Sequence, residues 1–237
     1  MTLPEENAPE SSTSRMRWSA AREVGIILIV ALVLSSLVRT FAFQAFWIPS
    51  GSMENTLLPE DRILVSKLST EFGDVKRGQV IVFSDPNDWL SGGFNAGNVF
   101  QRGARSTLSF VGLAASPSDR DLVKRVIGVG SDHVVCCDPS GRVSVNGKAL
   151  DEKSYIFPGD TPSDEPFDVT VPQGQLWVMG DHRSASGDSR YHQNDPGGPF
   201  VPVSKVIGRG VWVGWPLSRW SLVRVPETFS QIPAPKK

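Results

Sequence analysis

Residues 122–129 read Leu122-Val123-Lys124-Arg125-Val126-Ile127-Gly128-Val129, an apolar, β-branched run with two adjacent cations inside it. Such a run is the length of a strand and too short for a helix, and Val and Ile pack best on a pleated surface. Alternation along a strand sends Lys124 and Arg125 to opposite faces, so one is expected to meet a core or cleft and the other more open surroundings. On this segment alone, an edge lysine that discourages aggregation is an equally good reading. Outward from it, segments of the same character recur: RILVSKL (62–68), GQVIVF (78–83), HVVCC (133–137), RVSV (142–145), FDVTV (167–171), QLWVM (175–179) and KVIGRGVWVGW (205–215). Asn146-Gly147 after RVSV has the signature of a hairpin turn. The 22 glycines and 18 prolines among 237 residues suit short strands and turns better than a helical bundle. Residues 85–121, rich in Gly, Ser and Asn without periodicity, read as a long surface loop or insertion. The expected fold is mostly β.

The N-terminus is different in kind. Residues 1–23 are polar and rich in Pro, Ser and Glu, and read as a disordered cytoplasmic tail. Val24 to Val38 carries no charge, but about 15 residues make roughly 22 Å of helix, short of a membrane span. Continued to Phe46 with Arg39 snorkelling, residues 24–46 suffice for a single transmembrane helix, and Phe41, Phe43, Phe46 and Trp47 then form an aromatic belt. Arg15, Arg17 and Arg22 crowd the N-terminal flank, while the next basic residue past Arg39 is Arg62. The positive-inside rule therefore puts the tail in the cytoplasm and residues 47–237 on the extracytoplasmic side. A cleaved signal peptide is the alternative, but Ala42-Phe43-Gln44-Ala45 is a poor cleavage site. No second stretch spans: residues 206–223 contain Arg209, Arg219 and Pro216, and read as a core strand and turn that rests on the membrane through its tryptophans.

Composition narrows the chemistry. With 24 Lys and Arg against 25 Asp and Glu the net charge is -1, which lacks the basic footprint of nucleic-acid binding. Two cysteines and three histidines, without HExxH or a Cys/His cluster, argue against a bound metal or disulfide scaffold. Cys136 and Cys137 are adjacent; across a trans peptide their Cα atoms are about 3.8 Å apart, below the usual disulfide range, so no mutual bridge is expected. Two small strand residues on opposite faces are a better reading than a redox pair.

The first chemical segment is Ile48-Pro49-Ser50-Gly51-Ser52-Met53, where Pro and Gly around two serines force an extended-then-tight backbone that presents a hydroxyl. By itself it is more simply an ordinary turn. No GxSxG elbow and no SxxK occur, which sets aside the α/β-hydrolases and penicillin-binding enzymes. A serine nucleophile here would need a base, and a lysine serves when burial keeps it neutral. Lys124, inside its apolar run, is the candidate. A third segment, Met179 to Arg190 (MGDHRSASGDSR), is either a solvated turn cluster or a set of ion pairs bracing a site.

Together PSGSMENTLLPEDRILVSK, RGQVIVF, LVKRVIGVGSD and MGDHRSASGDSR, in this order behind one N-terminal anchor, resemble the bacterial type I signal peptidases, membrane-anchored Ser/Lys endopeptidases. The resemblance reaches the last long strand and leaves out the tail and residues 85–121. It implies Ser52 as nucleophile and Lys124 as general base. It further implies that Ser50 lends its hydroxyl to the oxyanion hole beside the Ser52 N–H, and that Ser186 hydrogen-bonds and orients Lys124. Asp188 and Arg190, with Arg125, would form a structural charge cluster. Ile48, Pro49, Met53, Leu57, Leu122 and Val123 would line shallow apolar substrate pockets for small side chains, with substrate added as a β-strand. A smaller β-ribbon inserted at roughly 136–175 is implied as well. No cofactor or metal is implied; the partners are secreted preproteins with signal peptides and the phospholipid membrane. His182 stands where Asn is usual and Gly130-Ser131-Asp132 where Pro-Gly-Asp is common. Two rivals remain at this point: a non-catalytic anchored β-domain, and a relative dedicated to one substrate such as a pilin.

Overall fold

The computed structural model describes residues 12–68, 74–90 and 120–235, with side chains of the first helix described for 22–36. Most of the 85–121 segment therefore lies outside the described residues; its ends are joined where Asp85 N–H donates to Arg120 O at 2.8 Å. The chain forms two units, 1–42 and 43–237.

The first unit contains α1, Ser12–Phe41. Two boundaries differ from expectation. Residues 12–23 are helical rather than tail, because Met16, Arg17, Ala20 and Ala21 are good helix formers. The helix stops at Phe41, and Phe43–Trp47 form strand β1, so residues 42–46 do not extend a span. Aromatic FQAFW satisfies a membrane interface and a pleated sheet equally well; pairing with Arg62–Ser66 (β2) decides the matter, Phe43 opposite Ser66 and Trp47 opposite Arg62. Among the described residues, no helix is long and apolar enough to cross a membrane.

The second unit is β-rich. Its large antiparallel sheet has the order β1-β2-β11-β3-β4-β9-β10, where β3 is Val80–Ser84, β4 Asp121–Val129, β9 Gln175–Met179, β10 Val201–Pro202 and β11 Val206–Trp215; β12, Ser221–Leu222, pairs with β11. A separate four-stranded sheet, β7-β6-β5-β8, consists of β5 His133–Cys136, β6 Ser144–Val145, β7 Lys148–Ala149 and β8 Phe167–Thr170, beginning before the roughly 136–175 expected for an inserted ribbon. Asn146 and Gly147 turn between β6 and β7 with φ of 52° and 79°, the left-handed geometry of that hairpin. Cys136 and Cys137 are joined by a disulfide, contrary to expectation.

Two parts of the core hold the site. Phe46, Ile48, Met53, Leu57, Ile63, Val65, Val80, Val82 and Val213 pack together under β1, β2, β3 and β11. Ile127, Val134, Val145, Tyr155, Phe167, Trp177 and Met179 fasten the ribbon to β4 and β9. Each large apolar side chain so buried contributes roughly 1.5–3 kcal/mol, which makes the frame around residues 48–57 and 124 rigid.

Candidate active site

Residues 48–61 form a tight excursion between β1 and β2. Ile48 N–H donates to Asp61 O and Glu60 N–H to Ile48 O, at 2.9 and 3.0 Å, closing the neck. Ser50 is extended (φ -129°, ψ 157°), then Gly51–Met53 coil into one 3-10 turn closed by Glu54 N–H to Gly51 O at 3.0 Å. Met53 and Leu57 are buried in the core and anchor the turn from below. Asn55 takes a left-handed φ of 83° and its amide donates to Ile156 O at 2.9 Å. Ser52 is thereby held with its hydroxyl 3.4 Å from that of exposed Ser50.

Across from it, β3 presents β4 in a register that pairs Ile81 with Lys124 and Val80 with Arg125. Lys124 Nζ lies 2.7 Å from Ser52 Oγ, and both residues are buried, at 3% and 7% exposure. Burial lowers the Lys124 pKa from 10.5 to about 8; Asp188 pulls it up, Arg190 down and Asp181 up by smaller amounts. Arg125 is 1% exposed as well, so neither of the two adjacent cations meets the open surroundings expected for one of them. Arg125 is paired through Nε and Nη2 with Asp181 at 2.8 and 2.6 Å, donates to Gly78 O at 2.7 Å, and lies 4.6 Å over the Tyr155 ring. Both cations are inside because the turn 51–57 and the 180–190 loop close over this end of β4. Burial leaves Lys124 without a carboxylate of its own and gives Arg125 one.

The 180–190 loop fits against the serine turn. A Cβ on Gly180 would stand 2.2 Å from Ser186 Oγ and 2.5 Å from Ser52 O, so only glycine permits this approach. Asp181 accepts from Thr56 Oγ1 as well as Arg125, and His182 N–H donates to Ser52 O at 3.1 Å. Ser186 donates to Asp188 at 2.8 Å rather than to Lys124, whose hydrogen bond is to Ser52. Asp188 also accepts from Gly180 N–H and is gripped by Arg190 through Nε and Nη2 at 2.8 and 2.9 Å. Although burial raises a carboxyl pKa, Arg190 and the Gly180 N–H hold that of Asp188 below its ordinary value. Asp188 and Arg190 are paired, with Ser186 joined to them, while Arg125, expected in the same cluster, is paired with Asp181 instead.

The family model described as "Signal peptidase, peptidase S26" matches residues 21–215. Signal peptidase I of Mycobacterium tuberculosis is 40% identical over 227 residues, covering 87% of this chain and 76% of that one. A probable signal peptidase I of Mycobacterium leprae is 41% identical over 230 residues, covering 85% and 78%. The chain belongs to the peptidase S26 family of signal peptidases. It is a serine endopeptidase that removes signal peptides from preproteins, which sets aside the non-catalytic rival. Among solved structures, signal peptidase I from Enterococcus faecalis V583 superposes with a TM-score of 0.35 at 22% identity, covering 57% of this chain and 96% of that one.

In this signal peptidase fold the pocket residues expected from sequence divide. Ile48, Met53 and Leu57 share one buried cluster, with Val123 packed against it, and Pro49 is exposed. Leu122 packs with Ile81, Phe83 and Val126 in a different cluster. Sequence reasoning missed Thr56, Glu152, Asp181 and Arg183. Arg183 and Glu152 are both buried and joined at 2.6 Å, and Tyr155 donates to the same carboxylate at 2.6 Å. Asp181 and Arg183 were visible as charges flanking His182 in the MGDHRS stretch. Glu152 carried no local signal, since its partner lies 31 residues away.

Proposed function

We propose that the chain removes signal peptides at the outer face of the cytoplasmic membrane by a Ser/Lys mechanism, with Ser52 as nucleophile and Lys124 as general base. The carrying observation is the 2.7 Å contact between a buried lysine of pKa about 8 and a serine hydroxyl. The neutral amine takes the Ser52 proton as Oγ attacks the scissile carbonyl. The resulting oxyanion is stabilised by the Ser52 N–H and the Ser50 hydroxyl. Lysine then returns the proton to the leaving amine, which departs with the mature protein, leaving the signal peptide esterified to Ser52. Water, deprotonated by the same lysine, hydrolyses that ester.

The substrate adds as a strand beside β4. This is supported by the register, in which β9 pairs with β4 only from Arg125 onward and leaves residues 122–124 without a β9 partner on that side. Anchoring through residues 24–41 is supported by Val24, Ile26–Val30 and Leu32–Leu34, all exposed on α1 and in need of an apolar solvent. Trp215, Leu217, Trp220 and Leu222, 52–64% exposed, support a second contact with the membrane surface. Phospholipid and exported preproteins are then the partners. No metal or other cofactor enters the reaction, and chelators should leave it unchanged.

The test is a pH–rate profile of detergent-solubilised enzyme on one preprotein, wild type beside Lys124→Arg. Wild-type kcat/KM should rise with pH through about 8, where the amine loses its proton. Lys124→Arg should be inactive, since a guanidinium keeps its proton in this range. Ser52→Ala should be inactive yet folded, and Ser50→Ala reduced roughly 10²–10³-fold. An active Lys124→Arg enzyme removes the Ser/Lys mechanism.

A further inference from the structure

His182 is a titratable side chain beside the nucleophile that the mechanism above does not use. Its ring is stacked on Phe157 at 4.0 Å between centroids and 18° between planes. That stack aims Nδ1 at two oxygens, Gly51 O at 3.2 Å and Glu54 Oε2 at 3.3 Å. Both are acceptors, so Nδ1 carries the hydrogen. Gly51 O therefore receives two donors, the Glu54 N–H at 3.0 Å and the imidazole.

The carbonyl so held belongs to the Gly51–Ser52 peptide, and the N–H on the opposite edge of that planar unit is the Ser52 N–H. We infer that His182 is a positioning residue that, by donating to Gly51 O, fixes and polarises the Ser52 N–H as the oxyanion donor. Two features of the site support a role at this peptide rather than in general packing. The backbone N–H of His182 also holds Ser52 O at 3.1 Å, so one residue grips the carbonyls on both sides of the Ser52 Cα. Donation to an amide carbonyl also strengthens the N–H of the same amide, because hydrogen bonds in a chain polarise one another. The transition state, which carries the oxyanion, gains from this more than the ground state does. The side-chain amide nitrogen of an asparagine stands at the same bond distance from Cβ as Nδ1, so Asn at 182 can supply the same donor.

This inference rests on the Ser/Lys reading, and its test separates the two. Full-length enzyme in detergent is compared as His182→Asn, which keeps a donor, His182→Phe, which keeps the stack but has no donor, and His182→Ala, which has neither. Thermal unfolding is followed alongside kcat and KM on a preprotein. The expected result is kcat within a factor of two or three of wild type for His182→Asn. For His182→Phe and His182→Ala a fall in kcat of roughly 10-fold with KM unchanged is expected, smaller than the 10²–10³-fold cost of deleting a direct oxyanion donor. Wild-type kcat in a folded His182→Phe, a loss confined to KM, or an Asn variant no better than Phe would each overturn the inference. So would loss of folding in both donor-less variants, which would assign the ring to the scaffold. If Ser52→Ala and Lys124→Arg are inactive while His182→Phe retains full kcat, only this inference fails; if Lys124→Arg is active, the mechanism beneath it fails first.

Discussion

Lys124 and Arg125 differ by one position and a functional group, and the fold treats them oppositely. Arg125 has a bidentate carboxylate in Asp181, while Lys124 has a hydroxyl. A cation inside an apolar strand was legible in the sequence, and Lys124 could be singled out from it. The burial of both was not, because the lid over them comes from residues 51–57 and 180–190, far along the chain. The lysine carries a stability cost that can be measured. A pKa lowered from 10.5 to about 8 corresponds to about 3 kcal/mol. Below pH 8 both folded and unfolded chains bind the proton, and the folded state bears the full penalty. Between pH 8 and 10.5 the unfolded chain holds the proton and the folded one does not, so stability rises with pH until the penalty is gone. Lys124→Met should therefore unfold at a higher temperature than wild type at pH 7, by as much as about 3 kcal/mol, and the difference should shrink by pH 10. Thermal unfolding of both proteins from pH 6 to 10 checks this; a difference independent of pH would refute it.

At the level of elements, alternation and β-branching located β2, β3, β4, β5, β8, β9 and β11, and Asn146-Gly147 located the β6–β7 hairpin. The exceptions share a cause. FQAFW follows an apolar helix without punctuation, so nothing local marks where α1 ends and β1 begins; the long-range pairing with β2 does. The 180–190 loop was legible as a charged cluster, but not the way it meets the serine turn. Ser186 was assigned to Lys124 by resemblance and bonds Asp188. Gly180 is the tightest point of that meeting. Gly180→Ala would force a methyl against Ser52 O and Ser186, and the backbone oxygen cannot swing away. Overpacking of this kind costs about 1–3 kcal/mol, and here it also displaces Ser52. Activity should fall at least about 10-fold with a lowered unfolding temperature. Gly187→Ala, where an added Cβ meets nothing within 4 Å, should change neither and serves as the control.

Across the whole catalytic unit, one buried polar assembly ties the inserted ribbon to the chemistry. Glu152 and Tyr155 follow β7, and Arg183 comes from the loop after β9. Arg183 reaches Glu152 through Nη2 at 2.6 Å and Gly180 O through Nε at 3.0 Å, so the same guanidinium holds the ribbon and the glycine beside Ser52. Asn55 adds a second tie by donating to Ile156 O. The ribbon thus braces the active site. Removing one member of a buried ion pair leaves the other charge without compensation and costs about 3–5 kcal/mol. For a chain of this size that lowers the unfolding temperature by about 2–4 °C per kcal/mol. Arg183→Met should therefore lower it by roughly 6–20 °C and reduce kcat through the freed Gly180 carbonyl. The double variant Arg183→Met/Glu152→Met removes both charges and the orphan with them. Its unfolding temperature should lie above that of Arg183→Met alone, while its kcat should stay low, since Gly180 O is still unheld. Additive losses of stability in the two single variants and the double would show that the pair is not coupled. Recovery of activity together with stability would show that the ribbon acts on the site only through overall folding.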